Sequence, residues 1–277
     1  MNTLKKIAMI NDISGYGRCA LTAAIPVISA LKVQCCPVLT AILSNHAGYS
    51  SCFFDDYTDQ MIPYIDEWKK HDFKFDGIMT GFMASYEQVK IVTDFIHHFK
   101  SDKTQLLVDP VMGDHGVPYR VCSAQLCDGF RELIPYADVI TPNLTEGCLL
   151  TDTPYKETGW SKRKLTDLTY KLLLMGAGAV VLTGVVKGNL IINVIHERGK
   201  EPIFQTAHYV DAPHHGTGDV FSAVIGASLV KGVPLEEAVR RAAAFTRKCV
   251  ERSEELKIPE KEGLCLEECL PYLMKQA

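Results

Sequence analysis

His214-His215-Gly216-Thr217-Gly218-Asp219 runs directly into an apolar stretch that opens with Val220-Phe221. Two glycines in so short a turn let the backbone bend tightly and come close to a ligand. The residues from Gly218 to Lys231 read as a helix, and a helix start aims unpaired amides and a positive dipole end at whatever sits there. An anion is the natural occupant. Alone, an aspartate in a first helical turn only complements the dipole. Behind Gly-Thr-Gly, Asp219 reads instead as a carboxylate placed to accept the proton of a hydroxyl group that attacks phosphorus.

Ligand turns of this kind lie at the carboxyl ends of strands in open α/β sheets, and the rest of the chain has the alternation such a sheet requires. Lys6 to Asn11 reads as a first strand. After the turn Ser14-Gly15-Tyr16-Gly17, the residues Ala20, Ala24, Val27, Ile28 and Leu31 recur at helical spacing, and Val33 to Thr40 is a second strand. A helix around Met61 to His71 precedes a short strand, Gly77 to Gly81. Val89, Val92, Ile96 and Phe99 mark another amphipathic helix ahead of the strand Leu106 to Asp109. Ala137 to Thr141 and Ala179 to Thr183 are strands on either side of a helix from Leu165 to Met175. Asn189 to Tyr209 reads as an antiparallel pair around Glu197-Arg198-Gly199-Lys200, an edge addition common on mixed sheets. Leu235 to Arg252 is a last long helix. No repeat, low-complexity tract or linker interrupts the chain, so residues 1–277 read as one α/β domain with a mainly parallel sheet.

Two more strand ends carry candidate chemistry. Asp109 leaves a buried strand and enters Pro110-Val111-Met112-Gly113-Asp114; a carboxylate there must face a cation or polar ligand, or cap a Pro-Gly turn, because burying it unpaired costs several kcal/mol. Thr141-Pro142-Asn143-Leu144-Thr145-Glu146 follows the next strand, and Asn143 and Glu146 are three apart, on one face of a first helical turn. That pattern is also a plain helix cap with an acidic first turn. Counted together, Asp109, Asn143 and Glu146 can hold hydrated Mg²⁺ beside phosphate oxygens, since magnesium keeps its waters and uses few carboxylates.

Bulk properties exclude several classes. At 277 residues and 47% hydrophobic the chain can bury a sizeable core, while a net charge of -4 removes the footprint of a nucleic-acid binder. The apolar run Ile7 to Ile10 is too short for a signal peptide, and no window approaches a membrane span. Ten scattered cysteines with no C-x-x-C pair suit a reducing cytoplasm and read as small buried thiols; neither Cys122 with Cys127 nor Cys265 with Cys269 finds a completing ligand. His97 and His98 read as surface residues, and Glu251 to Glu255 as a solvated helix end. His214 and His215, just ahead of the anion turn, are placed to touch nucleotide or a lid. Gly15-Tyr16-Gly17-Arg18-Cys19-Ala20 imitates a dinucleotide fingerprint, but Val33 to Thr40 supplies no acid for a ribose. No Walker run exists.

Asp109-Pro-Val-Met-Gly113, Thr141-Pro-Asn-Leu-Thr-Glu146 and Gly216-Thr-Gly-Asp219, in this order, closely resemble the ribokinase-like superfamily. Within it the chain is most similar to the pyridoxal (vitamin B6) kinases, whose Phe-Ser-Asn-His segment resembles Leu43-Ser-Asn-His46. The likeness runs from Ile7 to the last helices. It implies a three-layer α/β/α sandwich and ATP-dependent phosphorylation of the 5′-hydroxymethyl group of pyridoxal, pyridoxine or pyridoxamine. Carried over by motif, Asp219 is the base and Gly216, Thr217 and Gly218 the anion hole. Asp109 and Glu146 serve Mg²⁺ with ATP, while Thr141, Asn143, Thr183 and His214 line the nucleotide path. The alcohol pocket falls on Asp12, Tyr16, His46, Ala47 and Gly48, together with Asp219. The resemblance also implies a homodimer and leaves room for a monovalent cation such as K⁺.

Two departures stand out: Asn11-Asp12-Ile13 replaces the Ser-His these kinases carry after their first strand, and Thr183 stands where family lysines lie near the nucleotide. An aspartate at position 12 accepts from a ring hydroxyl or pairs with a pyridinium nitrogen, but rejects other acceptors. The rival readings are a hydroxymethylpyrimidine kinase, whose usual Gly-Thr-Gly-Cys differs at Asp219, and a non-catalytic vitamer sensor on the same scaffold. A sugar kinase lacks support because the N-terminal half has no Gly-Gly-rich opening.

Overall fold

A computed structural model describes residues 4–276. In chain order the elements are β1 (Lys5–Tyr16), α1 (Ala20–Ala30), β2 (Val33–Asn45), β3 (Phe54–Asp56), α2 (Thr58–Lys70), β4 (Gly77–Thr80) and α3 (Tyr86–Phe99). There follow β5 (Gln105–Val108), a small hairpin of β6 (Gly113–Asp114) and β7 (Val117–Pro118), α4 (Ala124–Leu133), β8 (Val139–Ile140), α5 (Leu144–Leu150) and α6 (Lys162–Leu174). The chain continues through β9 (Ala179–Lys187), β10 (Leu190–Glu197), β11 (Ile203–His208), α7 (Thr217–Val230), α8 (Leu235–Glu255) and α9 (Leu270–Met274). Among the described residues no helix is long and apolar enough to cross a membrane.

These elements form two compact units. One takes in the chain up to Gly81, Asp94–Gln105 and the chain from Val210; the other takes in Phe82–Thr93 and Leu106–Tyr209. In the first unit the strand order is β4-β1-β2-β3. β1 pairs in parallel with both β2 and β4, so Ile7 to Ile10, which are 0–2% exposed, form a continuous apolar run rather than an alternating one. Helix α7 is buried on nearly every side from Val220 to Val230, as a helix apolar all round must be. In the second unit the order is β11-β10-β9-β8-β5. β5, β8 and β9 run parallel, while β10 and β11 are antiparallel additions at the edge, with the expected turn closed by the Lys200 amide on the Glu197 carbonyl at 3.1 Å.

The α/β reading with a mainly parallel sheet therefore holds, but two strands run past their expected ends. β1 continues beyond Asn11 to Tyr16 and β2 beyond Thr40 to Asn45, paired as Ile13 with Ile42, Ser14 with Leu43 and Tyr16 with Asn45. The polar residues Asn11, Asp12 and Ser14 had marked the end of a strand. They are instead a strand's continuation, at most 8% exposed, in which hydrogen bonds among polar groups replace apolar packing. β3, the β6–β7 hairpin, α4, a 3₁₀ turn at Glu260–Glu262 and α9 were not expected; all but α4 are five residues or shorter, below the length at which periodicity carries a signal.

Candidate active site

In the first unit the site is organised around Asp219. Gly216 caps α7 in the left-handed conformation, φ 83°, and no side chain caps that helix start. A Cβ on Gly218 would meet no heavy atom within 4 Å, so the space over the first turn is open to a ligand. The Asp219 carboxylate is oriented from two sides. The Ala20 amide donates to Oδ2 at 2.8 Å, and the Asn11 amide nitrogen donates to Oδ1 at 3.3 Å. Ala20 does so from φ 47°, a left-handed conformation that a non-glycine residue enters at a cost of about 1–2 kcal/mol, so the turn is held there by its surroundings. Asp219 keeps some solvent access, yet crowding protein atoms push its proton affinity up, chiefly by lost hydration, against the pull of Ala20 and Asn11.

Asp12 stands beside it. Its carboxylate accepts from Ser14 Oγ at 3.3 Å, its amide donates to Asn11 Oδ1 at 3.0 Å, and burial, then the charge of Asp219, push its carboxyl up to about 7. The stability consequence has a definite sign. The unfolded Asp12 releases its proton near 3.8 and the folded one near 7, so the native state is progressively disfavoured as pH rises across that window. Asp12→Asn is expected to stabilise the protein at pH 8 by about 2–4 kcal/mol and to lose that advantage toward pH 4. Urea unfolding across the pH range checks this; an advantage independent of pH would rule out a retained proton.

Tyr16, His46, Ala47 and Gly48 lie in the same unit. Tyr16 is 54% exposed and its ring meets that of Tyr49 edge to face at 6.2 Å. His46 is buried, and both ring nitrogens are occupied: Nδ1 accepts from the Gly48 amide at 3.1 Å, which leaves Nε2 to donate to the Lys261 carbonyl at 2.7 Å. Its ring packs on His215 with centroids 4.0 Å apart. His46 therefore has no ring nitrogen left to offer another group. The His214 side chain is 1% exposed, and its Nε2 faces Glu254 on α8 at 3.1 Å.

In the second unit Asn143 and Glu146 realise the capping pattern at the start of α5. Asn143 Oδ1 accepts from the Glu146 amide at 2.9 Å, and Glu146 Oε2 accepts from the Asn143 amide at 2.7 Å. Asn143 Nδ2 donates to the Gly113 carbonyl at 2.8 Å, and the Met112 amide donates to Glu146 Oε1 at 3.2 Å. The cap thus fixes the loop that carries Asp109. Thr141 is buried at the end of β8, and the Thr183 amide donates to the Pro142 carbonyl at 2.9 Å, which sets Thr183 beside Asn143. Burial, then the charge of Asp109, drive the Glu146 carboxyl well above the usual range. A buried carboxylate whose proton affinity a second carboxylate raises fits a cation. Among the described residues no group of three or more His, Cys, Asp or Glu could hold a metal ion.

Sequence reading missed Ala20, whose role is carried by a backbone amide, and the turn after α8. That turn, Pro259 to Gly263, bonds to Arg18, His46, Tyr49 and His215. Its only local signal is a proline and a glycine four residues apart.

The family described as phosphomethylpyrimidine kinase matches residues 17–264. A hydroxymethylpyrimidine/phosphomethylpyrimidine kinase of Rhizobium meliloti is 26% identical over 253 residues, covering 89% of this chain and 91% of that protein. A crystal structure from Bacteroides thetaiotaomicron of a proposed phosphomethylpyrimidine kinase, in a form with pyridoxal, is 37% identical with a TM-score of 0.93, covering 98% of this chain and 96% of that one. Pyridoxal kinase from Lactobacillus plantarum is 26% identical with a TM-score of 0.91, covering 99% and 98%. The fold is accordingly the three-layer α/β sandwich of the pyridoxal kinases, and the chain belongs to the phosphomethylpyrimidine kinase family.

Proposed function

We propose that the protein transfers the γ-phosphoryl group of ATP to the 5′-hydroxymethyl group of pyridoxal, pyridoxine or pyridoxamine. The observation that carries this reading is Asp219, a partly accessible carboxylate with raised proton affinity, fixed by Ala20 and Asn11 at an uncapped helix start. The amides of Thr217, Gly218 and Asp219 hold the oxygens of the migrating phosphoryl group, and Asp219 takes the hydroxyl proton as the new O–P bond forms and the bond from the γ-phosphorus to the β,γ-bridging oxygen breaks, releasing ADP. Catalysis is then mainly positioning and electrostatics. Asp109 and Glu146 would hold Mg²⁺, which supplies neutralisation of nucleotide phosphate charge. Asp12 would accept from the ring hydroxyl or pair with a protonated ring nitrogen. A homodimer, a cytoplasmic location and a monovalent cation such as K⁺ belong to the same proposal.

A second reading, phosphorylation of a hydroxymethylpyrimidine, is favoured by the Rhizobium relative and disfavoured by an aspartate at 219, where those kinases typically carry cysteine. ADP release with each alcohol, with and without Mg²⁺, separates them. Mg²⁺-dependent turnover on at least one B6 vitamer, exceeding that on hydroxymethylpyrimidine, is expected. Turnover on the pyrimidine alone overturns the substrate; turnover on none overturns the kinase reading and leaves a vitamer sensor.

A further inference from the structure

The turn after α8 is joined to three separate segments, around residues 16–18, 46–49 and 215, the first two of which carry residues of the proposed alcohol pocket. The Arg18 amide and Arg18 Nη1 both donate to the Glu262 carbonyl at 3.1 Å, and the Arg18 guanidinium pairs with Glu267 at 2.8 Å. The Lys261 carbonyl accepts from His46 Nε2 at 2.7 Å and from the Tyr49 hydroxyl at 3.2 Å. The Glu260 carbonyl accepts from the His215 amide at 3.3 Å, immediately ahead of the anion turn. Glu262 adds a side-chain bond: its Oε1 accepts from the Tyr16 hydroxyl at 3.1 Å. Lys261 Nζ lies 5.5 Å from the centre of the Tyr49 ring, on the same aromatic pair. Gly263 closes the turn at φ 78°, where a Cβ would stand 2.6 Å from the Arg18 carbonyl oxygen.

Solvation of an exposed acidic turn does not explain so many bonds converging from residues 16–18, 46–49 and 215. We propose that Pro259–Gly263 is a clasp on the alcohol pocket, and that Glu262, through the Tyr16 hydroxyl, is a specificity-determining positioning residue for the ring of a small heteroaromatic alcohol. Tyr16 is the more exposed ring of the Tyr16–Tyr49 pair, free to swing if its hydroxyl is released. Fixing it gives a flat ring a preformed face at lower ordering cost. Asp219 is held separately by Ala20 and Asn11, so removing the Glu262 side chain acts on ring binding and not on the proton acceptor.

The inference rests on the alcohol-kinase reading, and steady-state kinetics on the full chain test the two apart. Glu262→Ala and Tyr16→Phe are each expected to raise KM for the alcohol about 3–10-fold while KM for ATP holds, the loss falling on KM rather than kcat. The double variant should be no worse than either single one, and Glu262→Gln, which keeps an acceptor for the Tyr16 hydroxyl, should return KM to within about twofold of wild type. An unchanged alcohol KM in Glu262→Ala, multiplicative losses in the double variant, or failure of Glu262→Gln to rescue would overturn the clasp and leave the kinase reading intact. Absence of turnover by the wild type on every alcohol would instead sink the kinase reading, and the clasp as a substrate device with it.

Discussion

Asp219→Asn is expected to lower kcat by about 10²–10⁴-fold, the range over which a positioned general base contributes, while leaving the affinity for ATP near that of wild type. The asparagine is the same size, so the Ala20 amide keeps an oxygen acceptor where it now donates at 2.8 Å, and the α7 start keeps its backbone. What disappears is the capacity to take up a proton. Removal of the charge also relieves Asp12, whose carboxyl is pushed up partly by Asp219, so the alcohol site should lose part of its pH dependence near 7. Single-turnover kinetics with saturating ATP, together with a nucleotide titration, separate the two effects. Retained turnover would remove Asp219 from the base role, and equal losses in nucleotide affinity would make it a scaffold for the anion turn instead.

Asp109 and the Thr141–Glu146 motif were legible because each sits directly after a strand, where a carboxylate has little reason to be unless a ligand or a cap needs it, whereas Gly216 to Asp219 lies well past β11 and was marked by its glycines at a helix start. Their local structure was less legible. Asn143 and Glu146 bond each other's amides as a reciprocal cap, so the same spacing that suggested a magnesium site also builds the helix start that steadies Asp109. Asp12 and Tyr16 lie on a strand rather than a loop, because polar residues that bond one another can continue a parallel ladder without apolar packing. The clasp was invisible for a different reason. Apart from the Glu262 carboxylate, its bonds are made by the carbonyls of Glu260, Lys261 and Glu262, and backbone oxygens leave no trace in the identity of the residues that carry them. The same holds for the Ala20 amide.

Gly216→Ala is the largest structural effect expected from a single methyl group. The position needs φ 83°, where an alanine costs about 1–2 kcal/mol, and the new Cβ would overlap the Arg18 carbonyl oxygen, a backbone atom that cannot swing aside. Overpacking against fixed backbone adds about 1–3 kcal/mol, so a total loss of about 2–5 kcal/mol is expected in urea unfolding. The strain does not stay local. Arg18 lies two residues before Ala20, whose amide orients the Asp219 carboxylate, and its carbonyl cannot retreat without moving that amide. Stability and kcat should therefore fall together. Gly218→Ala is the control, because its Cβ would meet nothing within 4 Å of the protein and so intrudes only on the open space over the helix start. That variant should keep its stability and lose nucleotide turnover. If Gly218→Ala is instead fully active, no phosphate oxygen approaches the first turn of α7 and the anion hole lies elsewhere.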